Sequence, residues 1–173
     1  GKGLIDTERI ALMGHSFGGY ETNFIITQTP LFRTAISGSS VFDLPSWYLS
    51  ISRNSGDPEI WRFESQQWRM GKSLYQDRDS YYRNSPSSWV QRVTTPLLLW
   101  TGEKDPQIDP DQSVAYHLAL RRLNKQNTLL MYLNESHSLI IKESQLDLYY
   151  RIKEWLDYHL KEESPPQWMK LGI

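Results

Sequence analysis

The chain contains no cysteine. Disulfides, thiolate nucleophiles and cysteine–zinc centres are therefore excluded. It also lacks any apolar run approaching the roughly eighteen residues that a membrane-spanning helix needs. Charge of one sign is missing too: 19 Lys and Arg against 20 Asp and Glu leave a formal net charge of −1. That balance gives no basic footprint for nucleic acid and no polybasic patch for a membrane surface. Neither H-E-x-x-H nor a comparable ligand spacing occurs, so no metal and no other cofactor is expected. No signal or transit pattern is read in the opening residues, and the compartment stays open. No internal repeat or low-complexity tract is found. What remains is a chain of 173 residues, 39% hydrophobic and 23% charged, enough for one globular domain with a core. Its seven tryptophans and ten tyrosines are many for this length. They are read as core or interface aromatics, with those in the middle of the chain as candidates to line a cleft.

The most informative stretch is Glu8–Phe24, ERIALMGHSFGGYETNF. A short apolar run meets Gly14-His15-Ser16-Phe17-Gly18, and a helix-like segment follows without proline until Pro30. Strand, tight turn and helix with serine at the tip form the G-x-S-x-G nucleophile elbow. A serine on so sharp a turn has a strained backbone, and its neighbours must be small to let the helix approach. Free N–H groups at the helix start face the space beside the hydroxyl, where a developing anion is stabilised.

Four strands are read along the chain, the elbow strand included. The first covers Glu8–Met13 and is followed by a helix from Phe17 to about Thr29. The second is Phe32–Ser37. Residues 41–93 form a helical and loop excursion, with helix starts at Asp57-Pro58 and Ser85-Pro86. Pro96–Trp100 is a continuous apolar run, as a strand covered on both faces should be. A helix spans about Asp111–Asn124, a fourth strand Thr128–Leu133, and a long amphipathic helix about Ile141–Leu160. Residues 164–173 are read as a loose tail. Alternating strands and helices predict an α/β fold: a mostly parallel sheet with helices on both faces and a site at the carboxyl ends of the strands.

Those strand ends carry Ser16, Asp105 and His137, in the chain order of α/β-hydrolases. Serine needs a base within hydrogen-bond reach. Histidine titrates near neutrality and can take the proton and return it, and a carboxylate fixes the imidazole tautomer. Asp109 and Asp111 compete with Asp105 but resemble helix-start charges. Asp43 follows the second strand and is an alternative acid. His15 lies inside the elbow, His117 in a helix and His159 on the last helix. Glu103 and Glu135 are read as solvated loop charges.

Together these segments resemble the carboxyl-terminal part of the catalytic domain of the prolyl oligopeptidase family of serine peptidases, with its dipeptidyl-peptidase IV and acylaminoacyl-peptidase relatives. GHSFGGY at 14–20, NSP at 84–86, TTPLLLWTGEKDPQIDPDQS at 94–113 and ESHSL at 135–139 carry the resemblance. It implies a partial α/β-hydrolase from the elbow strand onward. It also implies Ser16 as nucleophile, Asp105 as acid, His137 as general base and the Phe17 N–H as one oxyanion donor, with Tyr20 as a packing residue. The family acts on short peptides, often releasing dipeptides or acylated residues from amino termini. Gln107, two residues beyond the acid, stands where relatives contact the substrate backbone, and its amide leans toward the dipeptidyl-peptidase-like branch. The sequence departs from relatives at Trp100-Thr101-Gly102, Pro106 and Ser138.

The same resemblance implies strands, a second oxyanion donor and a propeller domain upstream of residue 1. The chain is therefore expected to be a fragment, weakly active or inactive alone, that self-associates through an open sheet edge or joins its missing amino-terminal part. A carboxylesterase or lipase-like hydrolase on the same fold and a non-catalytic binding module of that fold are the alternative functions.

Overall fold

A computed structural model describes residues 3–171. Four strands form one parallel sheet in the order β1 (Ala11–His15), β2 (Thr34–Gly38), β3 (Leu97–Gly102) and β4 (Asn127–Tyr132). Two central strands flanked by two edges explain the burial pattern. Every residue of β2 and β3 is buried, whereas β1 and β4 are partly open. The apolar run at Leu97–Trp100 is thus the buried centre, as its composition requires.

Period-two alternation sends side chains to opposite faces. Ala35, Leu97 and Leu99 pack on one face with Ile26 of helix α1 (Phe17–Gln28) and with Tyr116 and Leu120 of α5 (Asp111–Arg122). Ile36, Leu98, Trp100 and Leu130 pack on the other with Trp155 of α6 (Lys142–Lys161). Helices therefore cover both faces.

Three helices of five or six residues, α2 (Leu44–Tyr48), α3 (Ile60–Glu64) and α4 (Arg78–Arg83), and a 3-10 helix (Pro86–Arg92) make up the excursion between β2 and β3. Its core is aromatic: Trp47, Tyr48, Phe63 and Tyr81 are buried together, with Trp68 against them. Phe63 is fully buried, edge-on to Trp47 and Tyr48 and stacked on Trp68. Gln112 of α5 ties this unit to the sheet layer, accepting from the N–H groups of Phe42 (3.0 Å) and Asp43 (2.8 Å).

Several boundaries differ from the sequence expectation. β1 begins at Ala11, not Glu8, and runs on through His15. β3 runs on through Gly102. Both extensions are set by pairing partners, which local composition does not reveal. A helix starts at Pro86 as expected, but Pro58 bridges to Ile51 and α3 starts only at Ile60. In the segment read as a loose tail, α7 (Gln167–Leu171) packs Trp168 and Met169 against the α6 face of the core. The Trp168 indole donates to Glu154 at 2.6 Å. Among the described residues no helix is long and apolar enough to cross a membrane.

Candidate active site

The elbow forms where β1 meets α1. Ser16 has φ 59° and ψ −120°, a conformation that costs a side-chain-bearing residue of order 1–3 kcal/mol. Two contacts hold it. The Ser16 N–H donates to the Gly38 carbonyl at 2.9 Å, at the end of β2, and the Ser16 carbonyl accepts the Tyr20 N–H at 3.0 Å. The turn closes only because residue 14 is glycine. A Cβ there would lie 2.0 Å from the Gly18 carbonyl oxygen of α1. Phe17 opens α1, so its N–H has no helical carbonyl partner and lies beside the serine.

The loops after β3 and β4 bring up the other two groups. His137 Nε2 lies 2.8 Å from Ser16 Oγ, and His137 Nδ1 lies 2.8 Å from Asp105 Oδ2. Asp105 is fully buried and His137 is 7% exposed. A carboxylate only accepts, so Nδ1 carries the ring proton and Nε2 is left to accept from the serine hydroxyl. Asp105 Oδ1 accepts the N–H groups of Gln107 (2.8 Å) and Ile108 (3.0 Å), which fixes the carboxylate plane. The three groups separated by sequence thus form one hydrogen-bonded line.

The competing residues lie elsewhere. Asp43 caps α2, accepting from Ser46 N at 2.9 Å. Asp109 pairs with Arg53 at 2.6 Å and accepts the Asp111 N–H at 3.0 Å. His117 meets the Asn127 side chain at 2.6 Å, and His159 is buried against Trp155. Tyr20 packs against Trp68 and Phe17 and donates its hydroxyl to the Asn84 carbonyl at 2.8 Å.

Glu135 corrects the reading of a solvated charge. It is fully buried and accepts the N–H groups of Ile140 (2.8 Å) and Ile141 (3.0 Å), closing the loop that carries His137. Burial alone raises its pKa, but the hydrogen bonds from Ile140, Ser144, Ile141 and Ser136 outweigh burial and hold the carboxyl below the usual range. No local motif marks such a residue, because its donors come from the approach to α6. Glu103 is exposed, as expected, and accepts the Asn134 N–H.

A small pocket opens beside Ser16. Phe17, Val41, Trp47 and Trp68 form its apolar wall, and Arg62 and Gln107 its polar side. Gln107 thus shares this pocket with Ser16. A wider depression between Pro30, Arg33, Pro96 and His159 lies away from Ser16, Asp105 and His137. No cluster of three or more His, Asp and Glu able to hold a metal occurs among the described residues.

Comparison with known proteins bears on the fold and the family. The profile of the Prolyl oligopeptidase family matches residues 1–163. An uncharacterized peptidase of Bacillus subtilis, YuxL, is 28% identical over 159 residues, covering 90% of this chain and 23% of that protein. The human acylamino-acid-releasing enzyme is 28% identical over 159 residues, covering 90% of this chain and 21% of its own length. A puromycin-hydrolyzing peptidase of Mycobacterium tuberculosis superposes with a TM-score of 0.78 at 29% identity, over 91% of this chain and 23% of that one. The acylaminoacyl peptidase of Pyrococcus horikoshii has the same fold, with a TM-score of 0.78 at 24% identity over 96% of this chain and 26% of its own. The chain spans less than a quarter of the length of these curated relatives. With a family profile that covers residues 1–163, the chain belongs to the prolyl oligopeptidase family.

Proposed function

We propose that this segment carries the reacting groups of a serine peptidase that cleaves short peptides near their amino terminus. The observation that carries the reading is the hydrogen-bonded line from Ser16 Oγ through His137 to Asp105. Ser16 Oγ attacks the scissile carbonyl carbon while His137 Nε2 takes its proton. Asp105 holds the ring and stabilises the imidazolium. The carbonyl oxygen becomes an oxyanion that accepts the Phe17 N–H. The carbon–nitrogen bond then breaks, the leaving amine takes the proton from His137, and an acyl-enzyme remains on Ser16. Water, deprotonated by His137, attacks the ester and releases Ser16.

Release of dipeptides or single amino-terminal residues is favoured by relatives that include acylamino-acid-releasing enzymes and a dipeptidyl peptidase family member of Caenorhabditis elegans. Gln107 beside Ser16 supplies an amide for the substrate backbone. Turnover is assigned to the full-length protein, because the chain spans less than a quarter of the length of the curated relatives it matches. The isolated 173 residues are weakly active or inactive. The outer edge of β1 has no pairing partner among the described residues, and Met13 on it is 63% exposed. Such an edge recruits a strand, either from the rest of the protein or from a second copy.

The test is turnover of dipeptide and acyl-amino-acid amides by the full-length protein, with p-nitrophenyl esters alongside. Amide turnover abolished by Ser16→Ala supports the peptidase. Ester turnover without amide turnover would instead make it an esterase. A fluorophosphonate that leaves Ser16 unlabelled would make the fold a binding module.

A further inference from the structure

We infer that His15 is a positioning residue for the general base, a role that rests on the peptidase reading above. His15 is the variable x of the G-x-S-x-G turn, and nothing in the elbow's own geometry requires an imidazole there. Its ring, however, reaches across to the loop after β4. His15 Nε2 lies 2.8 Å from the backbone carbonyl oxygen of His137. A carbonyl only accepts, so Nε2 carries the proton and donates. Neutral Nε2–H imidazole and imidazolium both have that proton.

The ring is held for this contact. It lies parallel to Trp100, with centroids 5.1 Å apart and an interplanar angle of 0°, and 4.8 Å from the His137 ring. Trp100 can occupy that place because residue 38 is glycine: a Cβ there would come within 2.2 Å of the indole. Gly38 is also the residue whose carbonyl accepts the Ser16 N–H. One end of β2 therefore sets both the nucleophile's backbone and the platform under His15.

Two consecutive residues thus grip opposite parts of one histidine. Ser16 meets the His137 ring at Nε2, and His15 holds the His137 backbone. The loop carrying His137 has several exposed residues, among them Leu133, Ser138 and Ile140. A tether from the elbow itself fixes the distance between nucleophile and base, which the first step depends on directly.

The test uses three forms of the full-length protein. His15→Phe keeps the ring stacked on Trp100 and removes the donor. His15→Gln restores an N–H donor without the aromatic ring. In His15→Phe, kcat and the rate of fluorophosphonate labelling are expected to fall about tenfold, with KM and melting temperature unchanged. His15→Gln is expected to recover most of the labelling rate. Undiminished labelling in His15→Phe would overturn the role. So would a loss confined to KM, or a loss that tracks melting temperature and is not recovered in His15→Gln. A separate measurement stands whatever the activity: the 15N spectrum of the histidine rings. A His15 ring fixed with its proton on Nε2 and slow to exchange supports the tether, and a ring averaging rapidly between tautomers overturns it. A protein in which no form labels, but His15 is fixed, refutes the peptidase reading and leaves the tether standing.

Discussion

The sheet layer and the excursion between β2 and β3 are built by different means. The sheet is aliphatic at its centre, with Leu97, Leu98, Leu99 and Ile36 fully buried and long helices α1, α5 and α6 over its faces. The excursion has only short helices and is held by aromatic contacts around Phe63 and Trp68. The proposed nucleophile, acid and base all stand on the sheet's strand ends, and none comes from the excursion. What the excursion gives the site is a wall, through Val41, Trp47 and Trp68. The proposed chemistry thus stands on the sheet layer, and the wall of the pocket beside it on the irregular one. A reaction tolerates little displacement of its reacting atoms, whereas a pocket wall can vary without moving them.

That division can be broken or sharpened by substitution. The largest effect is expected on the sheet side. Ser16→Ala in the full-length protein should lower kcat by about 10⁴-fold or more without lowering the melting temperature. Next comes the excursion. Phe63→Ala empties a fully buried aromatic site and should cost about 3–5 kcal/mol in denaturant unfolding. If the two regions divide as described, a variant that stays folded should lose affinity for substrate more than it loses kcat.

His159 tests the sheet layer through pH. Burial, then the nearby Arg33 charge, lowers its pKa from 6.5 to about 4. The unfolded chain therefore binds the extra proton between those values, so stability falls as pH drops from 6.5 toward 4. The fall to about 4 caps this loss at roughly 3 kcal/mol. His159→Phe should flatten that part of the stability–pH curve, measured by urea unfolding at a series of pH values. The smallest effect is expected at Glu135→Ala, which leaves two loop N–H groups without their acceptor, at about 2 kcal/mol. Its folded-state pKa is depressed, so its contribution is present above the ordinary carboxylate range and is lost as pH falls through the lowered value. A Glu135→Ala variant with unchanged stability at neutral pH would show that the loop is held from elsewhere.

The parts legible in the sequence share a physical reason. An apolar run such as Leu97–Trp100 and a turn such as Gly14–Gly18 are local signals, and their order along the chain follows from the connections between strands. Asp105 and His137 could be picked out because parallel sheets gather strand ends at one side. The excursion was legible as short helices and loops, with the helix start at Pro86 among them, but not in its packing. Its aromatics pair at spacings no helix or strand period produces, as Trp47 does with Phe63 and Trp68. Glu135 and His15 were missed for a related reason. Each acts on backbone groups brought to it by folding, and a backbone N–H or carbonyl leaves no mark in the sequence.

The register of the central pair has a consequence in time. Ala35 lies beside Leu97, so the pairing that buries both central strands closes around the whole excursion. Closure of a long flexible segment is slow because its entropy is lost before any contact is gained. An excursion that first condenses on its own aromatic side chains shortens the segment still to be closed. Its tryptophans then report an early event, and assembly of Ser16 with Asp105 and His137 a late one. Stopped-flow refolding should therefore show tryptophan burial before fluorophosphonate reactivity.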